Sequence, residues 1–181
     1  LSVEITVVDR GVREMAVAVS RALGERKLLA AIGARHLRWV SDQFRTEGRQ
    51  TGSAGPWKPL RPSTIAGRRG KGGSAKILRD TGRLAQSFTV GYGFSSGFVE
   101  VGTADRRARW HHEGTRPYVI RPVRAKALRF RVAGGSFAFA RSVRHPGLPA
   151  RTLVPRENVA LDMAVRVIVA AYEKVVGRGA A

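Results

Sequence analysis

The chain has 181 residues, with 33 Lys and Arg against 13 Asp and Glu, a formal net charge of +20, 43% hydrophobic content and no cysteine. That length suits one hydrophobic core, and the missing thiols exclude a disulfide framework, a thiolate nucleophile and a cysteine zinc site. No apolar run approaches the ~18 residues of a membrane span and no signal-peptide pattern opens the chain, so the expectation is a soluble protein whose positive charge is met by an anionic partner.

Leu1 to Val8 alternates Val3, Ile5 and Val7 with Ser2, Glu4 and Thr6, the period of a strand with one buried face. Asp9 offers an N-cap to a helix carrying Val12, Met15, Val19 and Leu23, which Gly24 interrupts. A second helix follows, with Leu29, Ile32, Gly33, His36, Leu37, Val40 and Phe44 on one stripe. His36 on that stripe reads as a buried histidine satisfied by a neighbouring carbonyl rather than as a ligand.

From Glu47 to Gly73 glycine and proline rise and periodicity is lost, the signature of a loop or arm. Pro56 and Pro59 restrict the backbone around Trp57, and Thr64 to Arg69 is expected to make one helical turn. Arg61, Arg68, Arg69, Lys71, Lys76, Arg79 and Arg83 face one acid, Asp80, so the segment calls for an anionic partner.

Phe88, Val90, Tyr92 and Phe94, a Ser95-Ser96-Gly97 turn, and Phe98 to Gly102 predict a hairpin. Ala104 to His112 suits a short helix and Val119 to Pro122 an extended link. Leu128, Phe130 and Val132 alternate with Arg129 and Arg131, Gly134-Gly135-Ser136 turns, and Phe137 to Val143 returns, so a meandering antiparallel sheet is expected. Ten Arg and Lys and no carboxylate lie between Glu113 and Glu157, which predicts a positive surface patch. His145 to Pro149 reads as a stiff turn. A final helix, with Pro155 at its first position and Gly177 as its stop, carries Val159, Met163, Val167, Ala170 and Val175 on its expected buried stripe.

For catalysis the sequence offers little. His111 and His112 are adjacent and so point in different directions, unlike a helical i, i+4 metal pair; Gly67 to Ser74 lacks phosphate-loop spacing, and there is no nucleophile elbow. The reading is a protein that is not an enzyme and uses no cofactor or metal. Arginines interleaved with Trp57, Tyr118 and Phe130 leave a nonspecific nucleic-acid-binding protein as the alternative.

The order of motifs resembles the tailed-phage virion-morphogenesis family of tail-completion, neck and minor-tail proteins. The resemblance rests on Leu29-Ala30-Ala31-Ile32-Gly33 and Arg45, Gly55-Pro56-Trp57-Lys58-Pro59-Leu60 with Thr64, and Ile77 to Leu84 with Ser87. It continues through Val101-Gly102-Thr103, His112-Glu113-Gly114-Thr115 and Pro149-Ala150-Arg151-Thr152-Leu153. The chain departs from the family pattern at Ala108 to His111 and at Thr152.

The resemblance implies an α+β fold in one domain spanning 1–181, an antiparallel β-sheet packed by N-terminal and C-terminal helices with a long basic arm over 45–80. It implies a structural subunit of the head-tail neck, forming a homo-oligomeric ring between the head connector and the tail. Its partners would be copies of itself, portal, adaptor or head-closure proteins, and a tail terminator or tail tube protein, with nonspecific contact to packaged DNA and no membrane. It would reside in the virion, after assembly in the host cytoplasm. Candidate arm and anchor residues between subunits are Trp57, Pro59, Leu60, Thr64, Leu78 and Leu84; candidate contacts to DNA or an acidic partner are Arg68, Arg69, Lys71, Arg121, Arg124, Lys126, Arg129, Arg131 and Arg144.

Overall fold

In a computed structural model, which describes residues 2–3, 9–93, 97–131 and 136–179, the chain is a mixed α+β protein with helices at both ends of its strands. Helix α1 (Arg10–Leu23) starts where the Asp9 carboxylate accepts the Val12 amide at 3.0 Å. Gly24, at φ 87°, turns the chain into α2 (Glu25–Thr46), a left-handed position that glycine adopts without a Cβ penalty. From the expected N-terminal strand the structure describes β1 (Ser2–Val3), paired with Gly102 and Val101; Ile5 and Val7 lie outside the described residues.

Strands β2 (Thr89–Gly93) and β3 (Phe98–Gly102) form the expected hairpin, and with β1 they make a three-stranded antiparallel sheet in the order β1-β3-β2. Phe94, Ser95 and Ser96 of that hairpin lie outside the described residues. Helix α2 crosses the sheet at Gly33, where an added Cβ would stand 2.6 Å from Val90 Cγ1, so a larger residue fits only if the strand side chains beneath it give way.

The last helix, α6 (Glu157–Gly179), packs against both α1 and α2. Val12, Val19, Leu28, Ile32, Ala164 and Ile168 form the core among these three helices. The expected α6 stripe is partly corrected: Met163 is buried, whereas Val159, Val167 and Val175 are half-buried and Ala170 is exposed. Ala160, Ala164 and Ile168 are the buried residues instead; the two alanines let the helices approach closely, and Ile168 fills the core among α1, α2 and α6. Pro155 stands two residues ahead of the helix and is buried. His36, 3% exposed, ties α2 to α6: Nδ1 faces Ile32 O at 2.7 Å and Nε2 faces Ala160 O at 3.0 Å. The carbonyl-satisfied reading of this histidine holds.

A second core is built on Phe44, 1% exposed, with Trp57 edge-on at 5.5 Å and 85° and Phe88 tilted at 5.9 Å. Ile77, Leu84, Val101, Leu153 and Met163 close it. Each large side chain so buried contributes about 1.5–3 kcal/mol relative to exposure.

The expected single meander is not what the later strands make. Strand β4 (Tyr118–Ile120) pairs with β7 (Val143–His145), and β5 (Leu128–Arg131) with β6 (Phe137–Ala140), giving two separate two-stranded ribbons nested in sequence. Pro122 has no amide hydrogen for a ladder, and 123–127 bends away from strand geometry, so the two ladders cannot merge. Val132, Gly134 and Gly135 lie outside the described residues.

Candidate functional site

The basic segment after α2 is fastened to the body at both ends by one residue. Glu47, at φ 54°, ends the helix; its carbonyl accepts the Trp57 amide at 2.8 Å and its carboxylate accepts the Ile77 amide at 2.8 Å. Between these ties runs α3 (Pro62–Arg69), with proline in its first turn, where its lost amide costs nothing. Gln43, fully buried, donates from Nε2 to Ser53 Oγ at 2.7 Å and to Thr152 O at 2.8 Å, joining this loop to the chain before α6.

Of the candidate anchors, Trp57 and Leu84, the latter in the short helix α4 (Arg83–Gln86), are 5% and 7% exposed inside the chain's own core. Leu60 and Leu78 are half-buried against that core, and Pro59 and Thr64 are exposed. Trp57 therefore holds the loop to its own domain, and Pro59 and Thr64 are the residues of the set that face outward. Among the loop cations Arg68 is turned inward, donating from Nη1 to Lys76 O at 2.9 Å and lying 3.8 Å from Asp80, while Arg69 and Lys71 are exposed.

Helix α5 (Arg106–Glu113) begins at Asp105, whose side chain accepts from the Arg107 amide and guanidinium. The hydrogen bond from Arg107 is the main reason the Asp105 carboxyl sits below its ordinary range. At the far end of α5 the segment before α6 is stitched on: Arg151 N donates to His111 O at 2.8 Å and Leu153 N donates to His112 Nδ1 at 3.1 Å. Burial lowers the pKa of both histidines, and the Arg151 and Arg107 cations add to the effect at His111. The two rings serve the packing of this junction, and among the described residues no three His, Cys, Asp or Glu side chains gather as metal ligands.

The two ribbons are open to solvent. Among the described residues of 118–145 none is buried, while Tyr118, Val119, Ile120, Val123, Phe130, Phe137 and Phe139 all stand at least 36% exposed, Phe139 at 67%. Arg129 lies opposite Phe139 in the ladder, so a cation and an aromatic ring share one face, and the Arg129 guanidinium sits 4.4 Å over the Phe137 ring. Tyr118 stacks on His145 at 4.8 Å across the other ribbon. Arg121, Arg124, Lys126, Arg129 and Arg144 are exposed here, as the charge count led one to expect; the Arg131 side chain lies outside the described residues. Exposure of Phe137 and Phe139 escaped sequence reading, because an aromatic in an alternating strand reads as a core residue.

Residues 7–160 match the phage virion morphogenesis family. The chain belongs to that family. Its role is therefore in the building of a phage particle, and it is virion-associated. No curated protein and no solved structure matches the chain. No helix among the described residues is long and apolar enough to cross a membrane.

Proposed function

We propose that the chain is a tail-completion or neck subunit that forms a homo-oligomeric ring joining the head connector to the tail. The observation that carries this reading is the pair of ribbons. A two-stranded ribbon is marginally stable in water by itself, and these two expose aromatic and aliphatic side chains over 118–139 with no buried residue described to offset them. Exposed apolar surface rimmed by charge marks a place where another protein sits.

A ring of identical subunits needs two different adhesive surfaces on each copy, one for each neighbour. The ribbons supply one and the outward part of the loop, with Pro59, Thr64, Arg69 and Lys71, supplies the other. The remaining cations meet acidic partner faces or line the passage for DNA. The subunit acts through geometry, without a chemical step. Electron microscopy of the purified protein, alone and mixed with the connector and tail proteins, tests the proposal: rings are expected, and monomers under both conditions would refute it.

The charge of +20 favours one other reading, a nonspecific nucleic-acid-binding protein. It requires DNA affinity that needs no partner protein and falls steeply as salt rises; weak, salt-insensitive binding would remove it.

A further inference from the structure

The three-stranded sheet carries α2 on one face and an open trough on the other. Val90, Tyr92 and Val99 turn toward Gly33 of α2, so by the alternation of a strand Thr89, Gly91, Glu100 and Gly102 point the opposite way. These four line the trough, of about 330 Å³. A Cβ added at Gly91 would meet nothing within 4 Å. Glu100 lies directly opposite Gly91 in the ladder and is half-buried. Among the described residues no cation pairs with it.

Strand β2 is an edge of this sheet. Thr89–Gly93 has neither a charged residue nor a proline, and its pairing with β3 runs without a bulge. Charge, proline and bulges are the devices that keep other chains off an edge. An edge without them suits a strand that another chain covers.

We propose that the β5–β6 ribbon of a second copy of this chain docks on this face, with Arg129 on Glu100 and Phe139 over Gly91. The two surfaces match pair for pair. Arg129 and Phe139 are ladder partners on one face of the ribbon, and both are exposed. Glu100 and Gly91 are ladder partners on one face of the sheet. Residues directly opposite in an antiparallel ladder stand ~4.5–5.5 Å apart, so a cation beside a ring meets a carboxylate beside a vacancy at the same spacing. The ring covers backbone that a strand glycine leaves bare, and the guanidinium supplies the charge that Glu100 lacks. A carboxylate at that place repels phosphate, which disfavours nucleic acid as the occupant.

The docking rests on the ring role proposed above and extends the surface that receives the ribbons from the loop onto the sheet. The two are continuous: Ser87, just after α4, and Thr103, at the end of the trough, share a hydrogen bond of 2.7 Å.

The chain has no cysteine, so the full-length single variants Gly91→Cys and Phe139→Cys can be mixed under a mild oxidant and read on a non-reducing gel. A disulfide needs Cα atoms within ~7 Å of one another. A cross-linked dimer is expected from the mixture and not from either variant alone. Self-cross-linking of Gly91→Cys would join two sheet edges, self-cross-linking of Phe139→Cys would join two ribbons, and either result overturns the proposal. Charge reversal tests the ion pair: Glu100→Arg and Arg129→Glu are each expected to weaken self-association about tenfold or more in sedimentation, since like charges then face each other, and the double variant to regain it. A double variant no better than the single ones overturns the contact. If Glu100→Arg does not fold, Glu100→Gln carries the test, and unweakened association then overturns the proposal. Parent rings that persist in the variants, with no mixed cross-link, sink this docking and leave the neck reading standing. A parent that stays monomeric, alone and with the connector and tail proteins, refutes both.

Discussion

The Nδ1 atom of His112 accepts the amide hydrogen of Leu153 at 3.1 Å, and this bond exists only while that nitrogen is unprotonated. Burial has already lowered the His112 pKa from 6.5, and that of His111 as well. Below about 6.5 the unfolded chain therefore binds protons that the folded chain refuses, and the slope of stability with pH is positive there. Stability is expected to be complete above that pH and to decline as pH falls from it toward the lowered folded values. Thermal melts between pH 8 and pH 4.5 should show the decline, made shallower in His112→Asn, which keeps an acceptor and does not titrate. An unchanged midpoint across that range would contradict the role given to this pair.

Glu47 closes the basic loop through the Ile77 amide at 2.8 Å. Removing the acceptor in Glu47→Ala leaves a partly buried N–H unpaired, at a cost of about 1–3 kcal/mol. The opening falls on the loop first, so trypsin should cleave at Arg69 or Lys71 about tenfold faster or more while the helices persist by circular dichroism. Equal cleavage of variant and parent would show that the Glu47 carboxylate is not what holds the loop closed.

Phe44 touches both Trp57 and Phe88, so its ring joins α2, the loop and the sheet. Phe44→Ala is expected to destabilise the protein by about 3–5 kcal/mol in urea unfolding. A loss below about 1 kcal/mol would mean that the site collapses around the smaller side chain.

Phe139, at 67% exposure, contributes little to the isolated fold, and Phe139→Asp should change its stability by no more than about 0.5 kcal/mol. The same substitution places a charge on the proposed contact face and is expected to abolish ring formation in electron micrographs. Intact rings would move the interface away from this ribbon.

Helices α1 and α2 were readable because Asp9, Gly24 and the apolar stripe ending at Phe44 agree on boundaries and face. The β2–β3 hairpin was readable for the same reason, apart from its turn. Pro122 carried the break between ribbons, but its effect depends on which strand would have been its partner, and pairing is a property of the folded chain. The α6 stripe was misplaced because valines occur around the helix, so periodicity does not choose the buried side; small Ala160 and Ala164 decide it. Arg151 was visible as part of the Pro149-Ala150-Arg151 segment, but burial of an arginine with no ion pair among the described residues is a three-dimensional fact. The same holds for Trp57, whose flanking prolines signal a pinned ring without saying to what.

Because the described ribbons share no buried residue with the helical body, substitutions in the two regions are largely uncoupled in energy. On the assembly role proposed above, the contact face is thereby free to change without renegotiating how the rest of the chain folds. On that reading, a swap of residues 118–145 between family members is expected to exchange partner preference while leaving the host body intact.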